Sequence, residues 1–292
     1  MFLMFFTSCK TLKITGEYLD NPPSVVPKVA LSTDLNRNNW QHLDPINDSV
    51  PGMSVDKAYT ELIKDSEGQT VVVAVLDTGI DIKHEDLKGN IWTNKKEIPG
   101  NNIDDDKNGF VDDVYGWNFL GEAYYEQLEL TRLLGKGEDF PEKEDAQKDY
   151  DKRLAEARGE ETLKYYLNYD FKGRTTGDDP DNFEQTNYGD NKVEHSREDE
   201  SHGTHVAGII AAARNNNLGM KGVANNVEIM TLRVVPYGDE YDKDVALGII
   251  YAADNGADII NTSFGKGFSP HSDKVRDAIA YAASTNVLIV NA

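Results

Sequence analysis

An aspartate and a histidine, Asp77 and His202, stand where proton transfer or metal ligation could be carried out. In the segment VVVAVLDTGID, residues 71–76 form an unbroken apolar run rich in β-branched side chains, which predicts a strand buried on both faces. Asp77 follows at its carboxyl end, the edge at which open α/β sheets place their chemistry. In SHGTHVAGIIAAA, Ser201 is the expected cap of a helix headed by His202. Val206, Ala207, Gly208, Ile209 and Ile210 make that helix apolar on every side, so it is expected to be buried and close-packed with His202 at its exposed mouth. A metal site is the rival reading, because His202 and His205 share a helical face and His195 lies nearby, but no H-E-x-x-H pattern accompanies them.

The elements that must position these residues alternate. After the histidine helix come VEIMTLRVV, DKDVALGIIYAADNG, ADIINTSFG, SDKVRDAIAYAASTN and VLIVNA, strands and helices in turn. That order predicts right-handed crossovers and a parallel sheet, an α/β fold. Gly256 after Asn255 marks a helix stop. Upstream, Ser54 is the expected cap of a helix carrying Val55, Ala58, Tyr59 and Leu62. Asp77 and His202 are 125 residues apart. Much of that interval is a charged insertion at about residues 120–198, whose Leu128, Leu133, Leu154, Leu163 and Leu167 predict helices rather than disorder. A lid over a cleft, a surface that recognises protein substrate and a solvated decoration are its open readings.

A second cluster could hold a cation. NNIDDDKNGFVDDVYGWNF places Asp104, Asp106, Asn108, Gly109 and Asp112 in the spacing D-x-D-x-N-G-x-x-D, alternate oxygen side chains around a glycine bend. Tyr115 occupies the position where an EF-hand has its glutamate, and Asp113 is the expected substitute. Calcium is the cation this hard oxygen set favours.

The two segments around Asp77 and His202 resemble the D-T/S-G-I and H-G-T-H-V-A-G motifs of the subtilisin-like serine proteases, which occur in the order Asp, His, Ser. Gly203 and Thr204 fit this pattern better than a metal motif, and His205 is then a packed or hydrogen-bonded helix residue rather than a ligand. The resemblance implies a subtilisin-like three-layer fold with a mostly parallel sheet, incomplete at the C-terminus. It implies a serine-type endopeptidase acting on protein or peptide substrates, in which Asp77 orients the imidazole and His202 is the general base for a serine. It implies a substrate held as an added strand between Gly238 and Glu240 on one side and Ser263, Phe264 and Gly265 on the other, with Glu240 standing where the family commonly has glycine. It also implies a structural calcium at Asp86 and the loop Asn215, Asn216 and Asn217, with Asn216 as the chosen ligand.

The resemblance covers about residues 35–292. The A-G-N segment of the oxyanion site and the G-T-S-M-A segment of the nucleophile are not among these residues, so the expectation is a truncated peptidase domain that is inactive as it stands. The alternative, from another class, is a non-catalytic calcium-binding surface protein that keeps the fold.

Composition agrees with a globular chain able to bury a core, at 39% hydrophobic over 292 residues. Its 51 acidic against 30 basic residues, net charge −21, exclude nucleic acid and anionic membrane as partners through charge. The single cysteine, Cys9, excludes an internal disulfide. Residues 1–9 resemble the end of a lipoprotein signal, with residues 10–34 a proline-containing tether. An exported, envelope-attached protein anchored through lipidated Cys9 is the expectation; an incidental N-terminal cysteine is the alternative.

Overall fold

The computed structural model describes residues 38–64, 66, 68–195, 197 and 200–292. The signal ending at Cys9 and the tether over residues 10–34 lie outside the described residues. Two compact units divide the chain, one ending at Ser66 and the other spanning residues 67–292.

In the first unit a 3₁₀ turn, Trp40–His42, precedes a short helix α1 (Val55–Ala58) that continues as a π turn over Tyr59–Ile63. Asp44 organises it. Its carboxylate accepts hydrogen bonds from the backbone N–H groups of Ile46 and Asn47 and from the Ser54 hydroxyl. Because that hydroxyl is engaged by Asp44 and Ser54 has φ +60°, α1 starts without the serine cap expected from the sequence.

The second unit is built on five parallel strands, β1 (Val71–Asp77), β2 (Gly116–Asn118), β3 (Val227–Arg233), β4 (Ile259–Thr262) and β5 (Leu288–Asn291), in the spatial order β2-β3-β1-β4-β5. The larger helices are α2 (Glu129–Gly135), α3 (Lys143–Glu156), α4 (His202–Ala211), α5 (Asp242–Asp254) and α6 (Ser272–Ser284). Side-chain alternation along the strands separates two cores. Ala74 and Leu76 of β1, with Met230, Leu232 and Ile260, pack on Ala246, Ile249 and Ala252 of α5 and Ala278 and Ala282 of α6. Val73 and Val75, with Val227 and Ile229, pack on Ala207 and Ala211 of α4. Helices thus cover both faces of the sheet, which is why β1 reads as a continuous apolar run and why the fold has three layers.

α5 stops as its sequence indicates. Gly256 takes φ +83°, and the N–H groups of Gly256 and Ala257 donate to the carbonyls of Ala253 and Ala252. α4 departs from expectation in two ways. Ser201 lies near helical dihedrals, φ −97° and ψ −3°, and its side chain makes no cap; the Gly203 N–H donates instead to the Thr78 hydroxyl of the neighbouring strand end. Only Gly203, Ala207 and Ala211 are buried, a single stripe at four-residue spacing, while Ile209 is 36% exposed. The helix touches the sheet on one side and is not buried all round.

Within residues 120–198 lie α2, α3 and a π turn, Thr162–Tyr166, and Leu130, Ala146, Tyr150 and Leu167 form a small core there. Among the described residues no helix is long and apolar enough to cross a membrane.

Leu232 is fully buried in β3, between β1 and β2. Leu232→Ala should lower stability by about 2–5 kcal/mol, read as a lower urea midpoint with an unchanged slope.

Candidate functional site

Asp77 and His202, far apart in sequence, meet at the carboxyl end of β1. His202 Nδ1 lies 2.8 and 3.0 Å from the two carboxylate oxygens of Asp77. Asp77 is 1% exposed, and its Oδ1 also accepts the Thr78 N–H. Since a carboxylate only accepts, Nδ1 carries the proton of this bond, which leaves Nε2 of the neutral ring as an acceptor. The His202 side chain is 55% exposed, so a proton donor can reach that nitrogen. The approach of α4 requires glycine next to the histidine. A Cβ at Gly203 would stand 2.3 Å from the Gly79 carbonyl oxygen and 3.2 Å from Asp77.

The strands' carboxyl ends also supply the two edges named from the sequence. Gly238 and Glu240 follow β3, while Ser263, Phe264 and Gly265 follow β4. One side of the first edge is occupied by the insertion. The Tyr237 N–H donates to the Tyr124 carbonyl at 2.7 Å, the Glu126 N–H to Tyr237 at 2.7 Å and the Asp239 N–H to Gln127 at 3.2 Å, a short parallel pairing. Gly238, at φ +135°, fits because a Cβ there would sit 2.2 Å from the Glu126 carbonyl oxygen. The Glu240 carbonyl accepts from Arg132 at 3.2 Å and from Lys266 at 2.7 Å. Lys266, the residue after Gly265, also reaches Glu129 at 2.8 Å and Asp242 at 2.9 Å, so one buried ammonium joins the two edges. The insertion therefore forms a wall fixed to the first edge.

This seam is rich in buried carboxyls. Burial pushes Glu126, Asp239 and Glu240 above the usual carboxylate range. For Glu129 burial acts the same way, but Arg132 and Lys266 outweigh it and hold the group low. Beside the seam, burial of Asp178 is outweighed by Arg174, Lys243 and Thr176, which hold it down at about 2.

The acidic loop is only partly as expected. Glu97, Asp104 and Asp106 bring one oxygen each within 4.8 Å of one another. Glu97 was not legible as a member. Asp112 is turned away, accepting the N–H groups of Gly100, Asn101 and Asn102. Asp113 is fully buried and accepts from Asn94, Asn108 and Tyr251, while the Asn108 side-chain oxygen accepts the Phe110 N–H. An EF-hand-like ring of Asp104, Asp106, Asn108, Asp112 and Asp113 is therefore not formed. At the other candidate position the Asn216 amide donates to Asp86 at 2.7 Å, so this pair is brought together.

Residues 68–292 match the model of the Subtilase family, and the chain belongs to that family. It is similar to Subtilisin-like protease 1 of Plasmodium berghei (strain Anka), 27% identical over 237 residues that cover 79% of this chain and 27% of that protein. It is also similar to the Thermophilic serine proteinase of Bacillus sp. (strain AK1), 42% identical over 93 residues, covering 32% of this chain and 23% of that protein. Among solved structures, the Epidermin Leader Peptide Processing Serine Protease from Staphylococcus aureus aligns with a TM-score of 0.41 and 17% identity, covering 91% of this chain and 44% of that chain. The chain spans about a quarter of the length of these curated relatives.

The raised carboxyls predict a pH response of the seam. A carboxyl whose folded pKa lies above its unfolded value contributes stability that is complete below the unfolded value and is lost as pH rises through the folded one. Glu126, Asp239 and Glu240 are of this kind. Amide exchange at residues 124–127, corrected for intrinsic rates, should be slower near pH 5 than near pH 8. Glu240→Gln should shrink that difference. Asp178 has the opposite sign, and its contribution is lost as pH falls from the unfolded value toward about 2.

Proposed function

We propose that this chain carries two members of the Asp-His-Ser triad of a serine-type endopeptidase, and the observation that supports this most is the bond of His202 Nδ1 to a buried Asp77 with Nε2 left accessible. In this reading the serine hydroxyl gives its proton to Nε2 as its oxygen attacks the peptide carbonyl. Asp77 holds the ring in the required tautomer and stabilises the imidazolium, which then protonates the leaving amine. In this reading the attacking serine is not assigned to a residue of this chain.

The substrate is a protein or peptide laid as an added strand between Gly238 and Glu240 on one side and Ser263, Phe264 and Gly265 on the other. The insertion's pairing along residues 124–127 braces the first of these edges. Export, with an anchor at lipidated Cys9, belongs to the same reading.

Calcium fits the oxygen donors that the chain brings together. Glu97, Asp104 and Asp106 would hold one ion as a structural brace for their loop, whereas Asp86 with Asn216 would hold a second once the Asn216 amide, which here donates its N–H to Asp86 and accepts the Leu218 N–H, turned its oxygen toward the ion. Bound calcium neutralises carboxylates that otherwise repel one another.

Two measurements test this reading. In the polypeptide that includes the serine, His202→Ala should lower kcat by about a million-fold and Asp77→Asn by about ten-thousand-fold, the order of loss seen for triad members in subtilisin. Unchanged turnover in either variant overturns the triad. Absence of turnover and of labelling by an acylating serine probe in the unaltered protein would favour the non-catalytic calcium-binding alternative. For the ion, calcium at about 100 times its Kd should add about 2.7 kcal/mol of stability. The combined Glu97→Gln and Asp106→Asn variant should lose the part of that gain due to the acidic loop, as followed by the thermal midpoint.

A further inference from the structure

Arg233, the last residue of β3, is the register partner of Asp77. Its side chain is 1% exposed, yet all three guanidinium nitrogens donate. Nε donates to the Thr78 carbonyl at 2.9 Å. Nη1 donates to Asn118 Oδ1 at 3.3 Å and to the Gly121 carbonyl at 3.1 Å. Nη2 donates to the Ala123 carbonyl at 2.8 Å and to Glu200 Oε1 at 2.9 Å. These acceptors come from three places in the sequence. Thr78 directly follows Asp77, Glu200 shortly precedes His202, and Asn118, Gly121 and Ala123 are the end of β2 and the start of the insertion.

The connection continues to the reacting pair through Thr78. Its N–H donates to Asp77 Oδ1, and its hydroxyl accepts the N–H of Gly203, the residue after His202. Both sides of the Asp77–His202 bond are therefore referenced to one guanidinium. Burying a cation is costly and is offset only by a complete set of partners, whereas a hydrophobic side chain would satisfy packing alone. The fork of the guanidinium is what spans acceptors arriving from several directions; an ammonium offers three donors from a single atom.

We infer that Arg233 is a positioning residue that sets the Asp77–His202 separation and couples this pair to the start of the insertion. Its importance for turnover rests on the triad reading above; its effect on the pair's geometry does not.

The test is the low-field proton resonance of the His202 Nδ1–H group, followed by NMR in the full chain. Arg233→Lys keeps the charge but cannot reach all of the acceptors named above. It should shift that resonance and speed its exchange with solvent about tenfold or more, well below the variant's unfolding midpoint. Leu232→Ala, a neighbour that destabilises through packing alone, should leave the resonance in place. An Arg233→Lys resonance with unchanged position and exchange overturns the inference, as does an equal response in Leu232→Ala. Should Arg233→Lys fail to fold, Glu200→Gln, which keeps an oxygen acceptor and removes the charge, carries the test, with faster exchange supporting the role and no change overturning it. Absence of the resonance in the unaltered chain overturns the Asp77–His202 pair and this role with it. In the polypeptide that includes the serine, Arg233→Lys should lower kcat by about 10–100-fold with KM little changed. Loss of turnover in His202→Ala alongside an unaffected Arg233→Lys would keep the triad and remove Arg233 from it.

Discussion

The parallel register of β1 between β3 and β4 is the constraint on which the rest of the structure depends. Parallel strands all leave the sheet at the same edge, so pairing Asp77 with Arg233 and Leu76 with Thr262 brings three carboxyl ends together. From that edge emerge Thr78 and Gly79 after β1, the segment through Gly238 and Glu240 after β3, and Ser263 to Gly265 after β4. Slippage of one residue would move Asp77 to the other face and exchange the two cores, since Leu76 and Val75 pack on opposite layers. The burial of β1 on both faces is thus what secures the position of a single carboxylate.

A buried polar system completes what the sheet begins. Arg132, Arg174, Lys243 and Lys266 lie in or beside the insertion with their charges matched by Glu129, Asp178, Asp242 and Asp244. Such pairs contribute little net stability against a well-packed apolar alternative, but removing one partner leaves the other uncompensated. They therefore specify where the insertion sits more than how tightly it is held. Arg174 bridges Asp178 of the insertion to Asp244 of α5, and Lys266 bridges Glu129 of the insertion to Asp242, so the same helix start is tied down twice.

Much of this was legible locally. The strand around Asp77, the helix at His202, the stop at Gly256 and the helical content of the insertion follow from periodicity and turn chemistry within a few residues. What escaped reading depends on long-range partners. Nothing near Ser201 shows that Thr78 will take the Gly203 N–H, and nothing in α4's apolar composition shows that only the Gly203, Ala207 and Ala211 stripe meets the sheet. Glu97 lies outside the D-x-D-x-N-G spacing and joins Asp104 and Asp106 only because the intervening turn folds back. Asp112 and Asp113 fitted the spacing, but backbone N–H groups and buried amides compete for their oxygens. Arg233 at the end of an apolar run carried no signal of the acceptors gathered around it.

The same competition explains how a chain of net charge −21 can stay folded around so many acids. Among the described residues, several of its carboxyls differ in what answers their charge. Glu129, Asp178 and Asp244 face guanidinium or ammonium groups, and Glu129 and Asp178 are held low. Asp112 is answered by backbone N–H groups, and Asp113 by amide and hydroxyl donors. Glu97 and Asp113 remain pushed up by burial, and both stand beside Asp106. Basic residues are fewer than acids, and Arg132, Arg174, Lys243 and Lys266 are gathered in or beside the seam that joins the segments following β3 and β4. Among the described residues, the basic group that reaches Asp106 is Lys96, at 3.9 Å and largely exposed. On the calcium reading proposed above, the loop, rather than the Asp77–His202 pair, is the part whose stability follows the ion content of its surroundings.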